Sequence, residues 1–161
     1  MELFVVRHAI AEDAAPDQDD ADRGLTVDGK KRFARAVRGL AKLGIQFERV
    51  MHSPWKRAAQ TAELLGPLLE GPTEVQPLLA EPPSAALLKA LARHTEEGPL
   101  AIVGHQPWLG ELVAWLAMAE RDKGEWIDLK KGGVVWLEGE AKPGRMKLRA
   151  CLPPSVLRAI R

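Results

Sequence analysis

The chain has 161 residues, of which 46% are hydrophobic and 28% charged, and its net charge is +1. That length suits one domain, residues 1–161, around one core. The near-neutral balance selects neither nucleic acid nor an anionic membrane as a partner.

A single cysteine, Cys151, excludes an internal disulfide and a cysteine metal cluster, and is expected to be a small buried hydrophobe. No run approaches the roughly 20 apolar residues of a membrane span. The N-terminus meets Arg7 and His8 too soon for a signal peptide, so a cytoplasmic protein is expected.

Residues 3–6, LFVV, read as a buried strand. The acidic stretch from Ala11 to Asp22 reads as a loop. A helix is expected from Thr26, as N-cap, to Leu43, with Phe33, Val37, Leu40 and Ala41 inward and Gly44 at its end. Lys31, Arg35, Arg38 and Lys42 form its solvated face.

A second strand covers Arg49–His52. Ser53-Pro54 then reads as N-cap and first residue of a helix running to Leu69. Residues 75–79, VQPLL, suggest an edge strand because of Pro77. Pro82-Pro83-Ser84 opens a third helix, and residues 100–103 form a buried strand before Gly104-His105.

Pro107 starts a fourth helix with Leu109, Leu112, Val113 and Leu116 at core spacing. The alternating segments VVWLEG and RMKLRACL flank Pro143-Gly144 as a β-hairpin. Trp108, Trp115 and Trp136 sit in apolar patterns and are expected in the core, with Trp55 beside the site described next. The strand–helix alternation predicts an α/β fold, a mostly parallel sheet covered by helices.

Three strands end at once in polar residues: LFVV at Arg7-His8, RVMH at Ser53 with Arg57 close behind, and LAIV at Gly104-His105. A parallel sheet delivers such ends to one edge, where ligands bind. Arg7, His8, Arg57 and His105 are therefore predicted to converge. Cations repel one another unless an anion lies among them, and the arginine fork matches a phosphoryl group. The helix start after Ser53 adds backbone N–H donors. His52 and His94 are expected to be bystanders.

These segments resemble the histidine phosphatase superfamily. Arg7-His8-Ala9 looks like its Arg-His-Gly signature, with Ala9 in place of the glycine. Residues 53–62, SPWKRAAQTA, resemble its second block and Gly104-His105 its third. Arg23-Gly24-Leu25-Thr26 with Gly29 is similar to the segment before its first long helix. The short chain is most like the small bacterial phosphohistidine phosphatases.

The resemblance implies a three-layer α/β/α sandwich of phosphoglycerate mutase-like type. It implies His8 as nucleophile, with Arg7, Arg57 and His105 binding the phosphoryl group and no metal or other cofactor. Ser53 is a further candidate substrate contact. For the general acid, Glu81 is favoured, with Glu12 and Asp13 as rivals.

His8 must attack as neutral imidazole, and Arg7 and Arg57 are expected to lower its pKa by like-charge repulsion. The expected substrate is a phosphorylated protein carrying phosphohistidine. The alternatives are small phosphate monoesters, such as sugar phosphates or nucleotides, and a phosphate-recognising regulatory module without turnover.

Overall fold

The computed structural model describes residues 1–161. Six strands form one sheet in the order β3-β2-β4-β1-β5-β6. They are β1 (Glu2–Arg7), β2 (Arg49–His52), β3 (Thr73–Val75), β4 (Leu100–Gly104), β5 (Val134–Gly139) and β6 (Met146–Leu152). β3, β2, β4 and β1 run parallel. β5 and β6 join on the β1 side through antiparallel pairings. The helices are α1 (Val27–Lys42), α2 (Lys56–Leu64), α3 (Ala85–Ala92), α4 (Trp108–Met118) and α5 (Pro154–Ala159).

Strand side chains alternate between two cores, as a period of two requires. Phe4, Val6, Val50, Ala101 and Val103 pack on one face with Phe33, Val37 and Leu40 of α1, Ala58 and Ala62 of α2 and Leu157 of α5. Leu3, Val5, Met51, Leu100 and Ile102 pack on the other with Leu87 and Leu91 of α3 and Leu109, Leu112 and Leu116 of α4. Each such fully buried Leu, Ile or Val contributes about 1.5–3 kcal/mol of transfer free energy. Two apolar faces explain why β1 and β4 read as unbroken apolar runs. The expected three-layer α/β/α arrangement is present, and the sheet is mixed, with three parallel and two antiparallel pairings, so that β5 alone runs against the other strands.

Thr26 caps α1 as predicted, its Oγ1 accepting from the Gly29 N–H at 2.8 Å. Gly29 is required there by close approach, because a Cβ would lie 2.3 Å from the Ile10 carbonyl oxygen. Gly44 takes a positive φ of 73° just beyond the helix. Ala41 is exposed, and Ala36 takes the expected place among the core residues.

Several local expectations are corrected. Ser53 does not cap α2: Trp55 is its N-cap, and Ser53 Oγ accepts from the Trp55 N–H at 3.2 Å in a tight turn. α2 ends at Leu64, and a separate 3₁₀ turn, Gly66–Leu68, carries the chain onward because Pro67 supplies no backbone N–H to continue the helix. The edge strand is Thr73–Val75, and Pro77 opens a 3₁₀ segment, Pro77–Ala80.

Cys151 is exposed, because β6 is an edge strand and the outward positions of its pattern face solvent. Trp108, Trp115 and Trp136 are half-buried. Trp136 stacks on Phe4 with centroids 5.3 Å apart. No helix is long and apolar enough to cross a membrane.

Candidate active site

Three neighbouring strand ends build the site. The His8 N–H, just past β1, donates to the Gly104 carbonyl at 3.1 Å, and the Ser53 N–H, just past β2, donates to the Val103 carbonyl at 3.0 Å. With β4 between β1 and β2, His8, Ser53 and His105 fall on one edge. All three are buried, with exposures of 6%, 0% and 3%.

The rings of His8 and His105 lie 5.2 Å apart. Arg57 enters from the first turn of α2, 4% exposed. Its guanidinium stacks over Trp55 at 4.6 Å, and Trp55 in turn lies 4.5 Å from the His105 ring.

Hydrogen bonds fix the state of His8. Its Nδ1 lies 2.7 Å from the Ala9 carbonyl oxygen. A carbonyl only accepts, so Nδ1 carries the proton and Nε2 keeps its lone pair. Arg57 Nε–H donates to that lone pair at 3.3 Å, which requires the same tautomer.

The His8 pKa is lowered to about 4. Burial is the largest cause, the Ala9 carbonyl opposes it, and the charges of Arg57, Arg7 and Lys131 lower it further. The direction is the expected one, but burial outweighs the arginines to which the sequence pointed. His105 is pushed lower still, to about 3, by burial first and then by His8 and Arg57. Both rings are neutral at pH 7.

Ser53 Oγ lies 2.7 Å from His105 Nε2. The hydroxyl proton of Ser53 has no acceptor other than His105 Nε2, since its remaining contact is the Trp55 N–H that it accepts, and donation to Nε2 leaves the ring proton on Nδ1. That Nδ1 is buried and has no partner, and the same is true of Arg7 Nε. A buried donor without an acceptor costs about 1–3 kcal/mol, so these two donors, on residues at the same sheet edge as His8, suit an acceptor-rich group. Arg7 is further held by Nη1–H donation to the Leu129 carbonyl at 2.9 Å. A polar cleft of about 580 Å³ opens beside Arg7, walled by Gln106, Glu111, Asp122, Glu125 and Asp128.

The structure thus brings together Arg7, His8, Ser53, Arg57 and His105. Glu81 is exposed in a shallow crevice beside Trp108 and makes no side-chain hydrogen bond. Glu12 and Asp13 are exposed on the loop after His8. His52 is buried, with Nδ1 2.8 Å from the Ser53 carbonyl oxygen, and His94 pairs with Glu97. Ala9 does not adopt a positive φ; its methyl is buried in the core and its N–H donates to Thr61 Oγ1 at 3.0 Å.

Sequence reasoning missed three residues. Asp20 binds Arg57 through its carboxylate and its carbonyl. Thr61 Oγ1–H donates to the Arg57 carbonyl at 2.7 Å, tying Ala9 to α2. Lys131 adds positive charge near His8. Asp20 stood among five other acidic residues of one loop, with only its spacing of three from Arg23 as a signal.

The family model described as the histidine phosphatase superfamily (branch 1) matches residues 3–82. Phosphohistidine phosphatase SixA of Escherichia coli strain K12 is 36% identical over 126 residues, spanning 74% of this chain and 76% of that one. The chain belongs to the histidine phosphatase superfamily.

The protein histidine phosphatase SixA solved in complex with tungstate superposes with a TM-score of 0.81. It has 27% identity, over 98% of this chain and 99% of the other. The alpha-ribazole-5'-P phosphatase structure from Escherichia coli has a TM-score of 0.79 at 19% identity, covering 100% and 99% of the two chains, and shares the fold. Membership in the histidine phosphatase superfamily, with the likeness to SixA, assigns phosphatase chemistry to this chain.

Proposed function

We propose that residues 1–161 form one histidine phosphatase domain that removes a phosphoryl group from phosphohistidine on a protein, through a phosphorylated His8. The single observation that carries this reading is the state of His8. It is a buried neutral imidazole whose Nε2 lone pair faces Arg57, with Arg7 Nε and His105 Nδ1 nearby as donors awaiting an acceptor.

His8 Nε2 attacks phosphorus in line, forming an N–P bond while the bond to the leaving group breaks. Arg7, Arg57 and His105 spread the charge on the equatorial oxygens, and Ser53 holds the His105 tautomer. Water then cleaves the N–P bond. Positioning and electrostatics carry most of the catalysis, because phosphoryl transfer leaves little covalent work to the protein.

The state of Asp20, the carboxylate bonded to Arg57, favours phosphohistidine. Burial alone would raise the Asp20 pKa, but hydrogen bonds from Arg57 and Arg23 hold it below the usual carboxylate range. Asp20 is therefore ionised and a poor proton donor. Phosphohistidine protonated on its distal nitrogen leaves as neutral imidazole and needs no donor from the enzyme. An alkoxide leaving group needs one, and Glu81 is the residue proposed to serve in that case. The likeness to SixA supports the same choice.

The test is a parallel assay on a phosphohistidine-bearing protein and on a panel of sugar phosphates and nucleotides. We expect kcat/KM for the phosphohistidine protein to exceed that for every ester by at least about a hundredfold. Comparable or higher efficiency on one ester would favour a small-molecule phosphatase. Phosphate affinity without turnover of any substrate would favour a non-catalytic recognition module.

A further inference from the structure

Arg57 is placed to do two things that conflict. It must grip the phosphoryl oxygens, yet its Nε–H now covers the Nε2 lone pair of His8 at 3.3 Å. That lone pair is the one that reaches phosphorus, so Nε has to move from nitrogen to a phosphoryl oxygen when substrate arrives. A free arginine side chain has several rotamers available for such a swing.

The other end of the same guanidinium is held. Nη1 donates to the Asp20 carbonyl at 2.7 Å and Nη2 to Asp20 Oδ2 at 2.9 Å. Asp20 Oδ1 accepts from Arg23 Nε at 2.7 Å, which steadies the carboxylate from its outer side. Asp19 fixes the turn by accepting from the Ala21 N–H at 3.1 Å. Arg57 is 4% exposed whereas Asp20 is 53% exposed, so the anchor reaches in from the surface loop over the buried cation. Each terminal nitrogen keeps one further N–H free.

We propose that Asp20 is a positioning residue that holds the outer fork of Arg57, so that the side-on fork, Nε with one Nη, pivots from His8 Nε2 onto two phosphoryl oxygens. This inference rests on the reading of His8 as nucleophile. Asp20 touches neither substrate nor the reacting atoms. Its pairing turns what would be a rotamer search into a short rotation about an anchored end. It also gives the acidic loop a role in the site, through a residue 37 positions from its partner. The side-on fork offers two parallel N–H donors at the spacing of two oxygens on one phosphorus.

The experiment uses the full chain and phosphoramidate as phosphoryl donor, with His8 phosphorylation followed by rapid quench. Four variants are compared with wild type: D20A, D20N, R57K and the double variant R57K/D20A, for which R57K is the reference. D20A is expected to slow phosphorylation at saturating donor by about tenfold to a hundredfold, while the KM for donor moves by less than about threefold, because charge attraction from Arg7 and Arg57 persists. D20N keeps an acceptor oxygen and is expected to recover most of the rate.

In the R57K background, D20A should cost little more, since an ammonium has no fork to anchor. D20A within about twofold of wild type, or an equal loss with and without Arg57, overturns the proposal. If wild type labels at His8 and D20A labels equally fast, the anchor role fails alone. If wild type never labels at His8, the nucleophile reading fails and takes this inference with it.

Discussion

Arg57 Nε–H donates to His8 Nε2 at 3.3 Å, across 49 positions of sequence. The contact makes one guanidinium both the cover of the His8 lone pair and, in the proposed reaction, a cation for the phosphoryl group that His8 attacks. R57K keeps the charge but loses the planar fork. We expect kcat/KM to fall by about a hundredfold to a thousandfold in R57K, the scale for removing one preorganised transition-state donor. Steady-state kinetics on a phosphohistidine substrate measures this, and a loss below about fivefold would leave Arg57 outside the reacting centre.

Ser53 Oγ joins the turn before α2 to His105, accepting from the Trp55 N–H while it bonds His105. The Oγ lies 2.7 Å from His105 Nε2, and the Ser53 backbone N–H is already bonded to Val103. S53A removes the partner that keeps the proton on Nδ1, and a share of His105 then presents a lone pair to the phosphoryl oxygens. The cost of one such hydrogen bond is about 1.4 kcal/mol, or tenfold in kcat/KM. Nitrogen NMR of His105 should show the tautomer mixture appear in S53A, and an unchanged spectrum with unchanged rate would remove Ser53 from the site.

The pH profile follows from the lowered His8 pKa. Free enzyme controls kcat/KM, and the nucleophile must be unprotonated. With the His8 pKa at about 4, the acid limb of kcat/KM is expected near pH 4, with a plateau above about pH 5 once substrate ionisation is subtracted. An acid limb at the ordinary histidine value of 6.5 would mean that His8 is not held as the structure holds it.

Stability has the matching sign. His8 and His105 have folded pKa values of about 4 and about 3, below their ordinary 6.5. Below pH 6.5 the unfolded chain takes up protons that the folded chain refuses, so stability falls as pH drops from about 6.5 towards about 3. The two histidines together account for a loss on the order of several kcal/mol. H8N, which cannot titrate there, is expected to lose part of that slope. Urea midpoints at pH 7 and pH 4.5 measure it, and identical slopes in wild type and H8N would contradict the account.

How far the site could be read in the sequence depends on how each residue is positioned. Arg7, His8 and His105 sit at the ends of apolar runs, and the rule that parallel strands end together brings them to one edge without any side-chain detail. Arg57 follows from the same rule plus one turn of helix. Ser53 stood among the candidates as a substrate contact and helix cap, and its bond to His105 was not legible: a serine before a helix ordinarily caps it, and only the distance to His105 shows where the hydroxyl proton goes.

Asp20 was illegible because a loop has no periodicity to fix which of several carboxylates turns inward. The edge strand Thr73–Val75 was misplaced by a few residues for a similar reason. All three of its residues are exposed, so no apolar pattern announces it. Cys151 shows the converse, an apolar residue set on the open side of an edge strand.

One measurement bears on the whole account. Wild-type enzyme is mixed with a phosphohistidine protein labelled in its phosphoryl group, quenched within milliseconds under alkaline conditions that preserve phosphohistidine, and digested for mapping. The account predicts the label on Nε2 of His8, with H8A folded, unlabelled and without turnover. Label on any other residue, or hydrolysis by H8A at a rate near that of wild type, would contradict it.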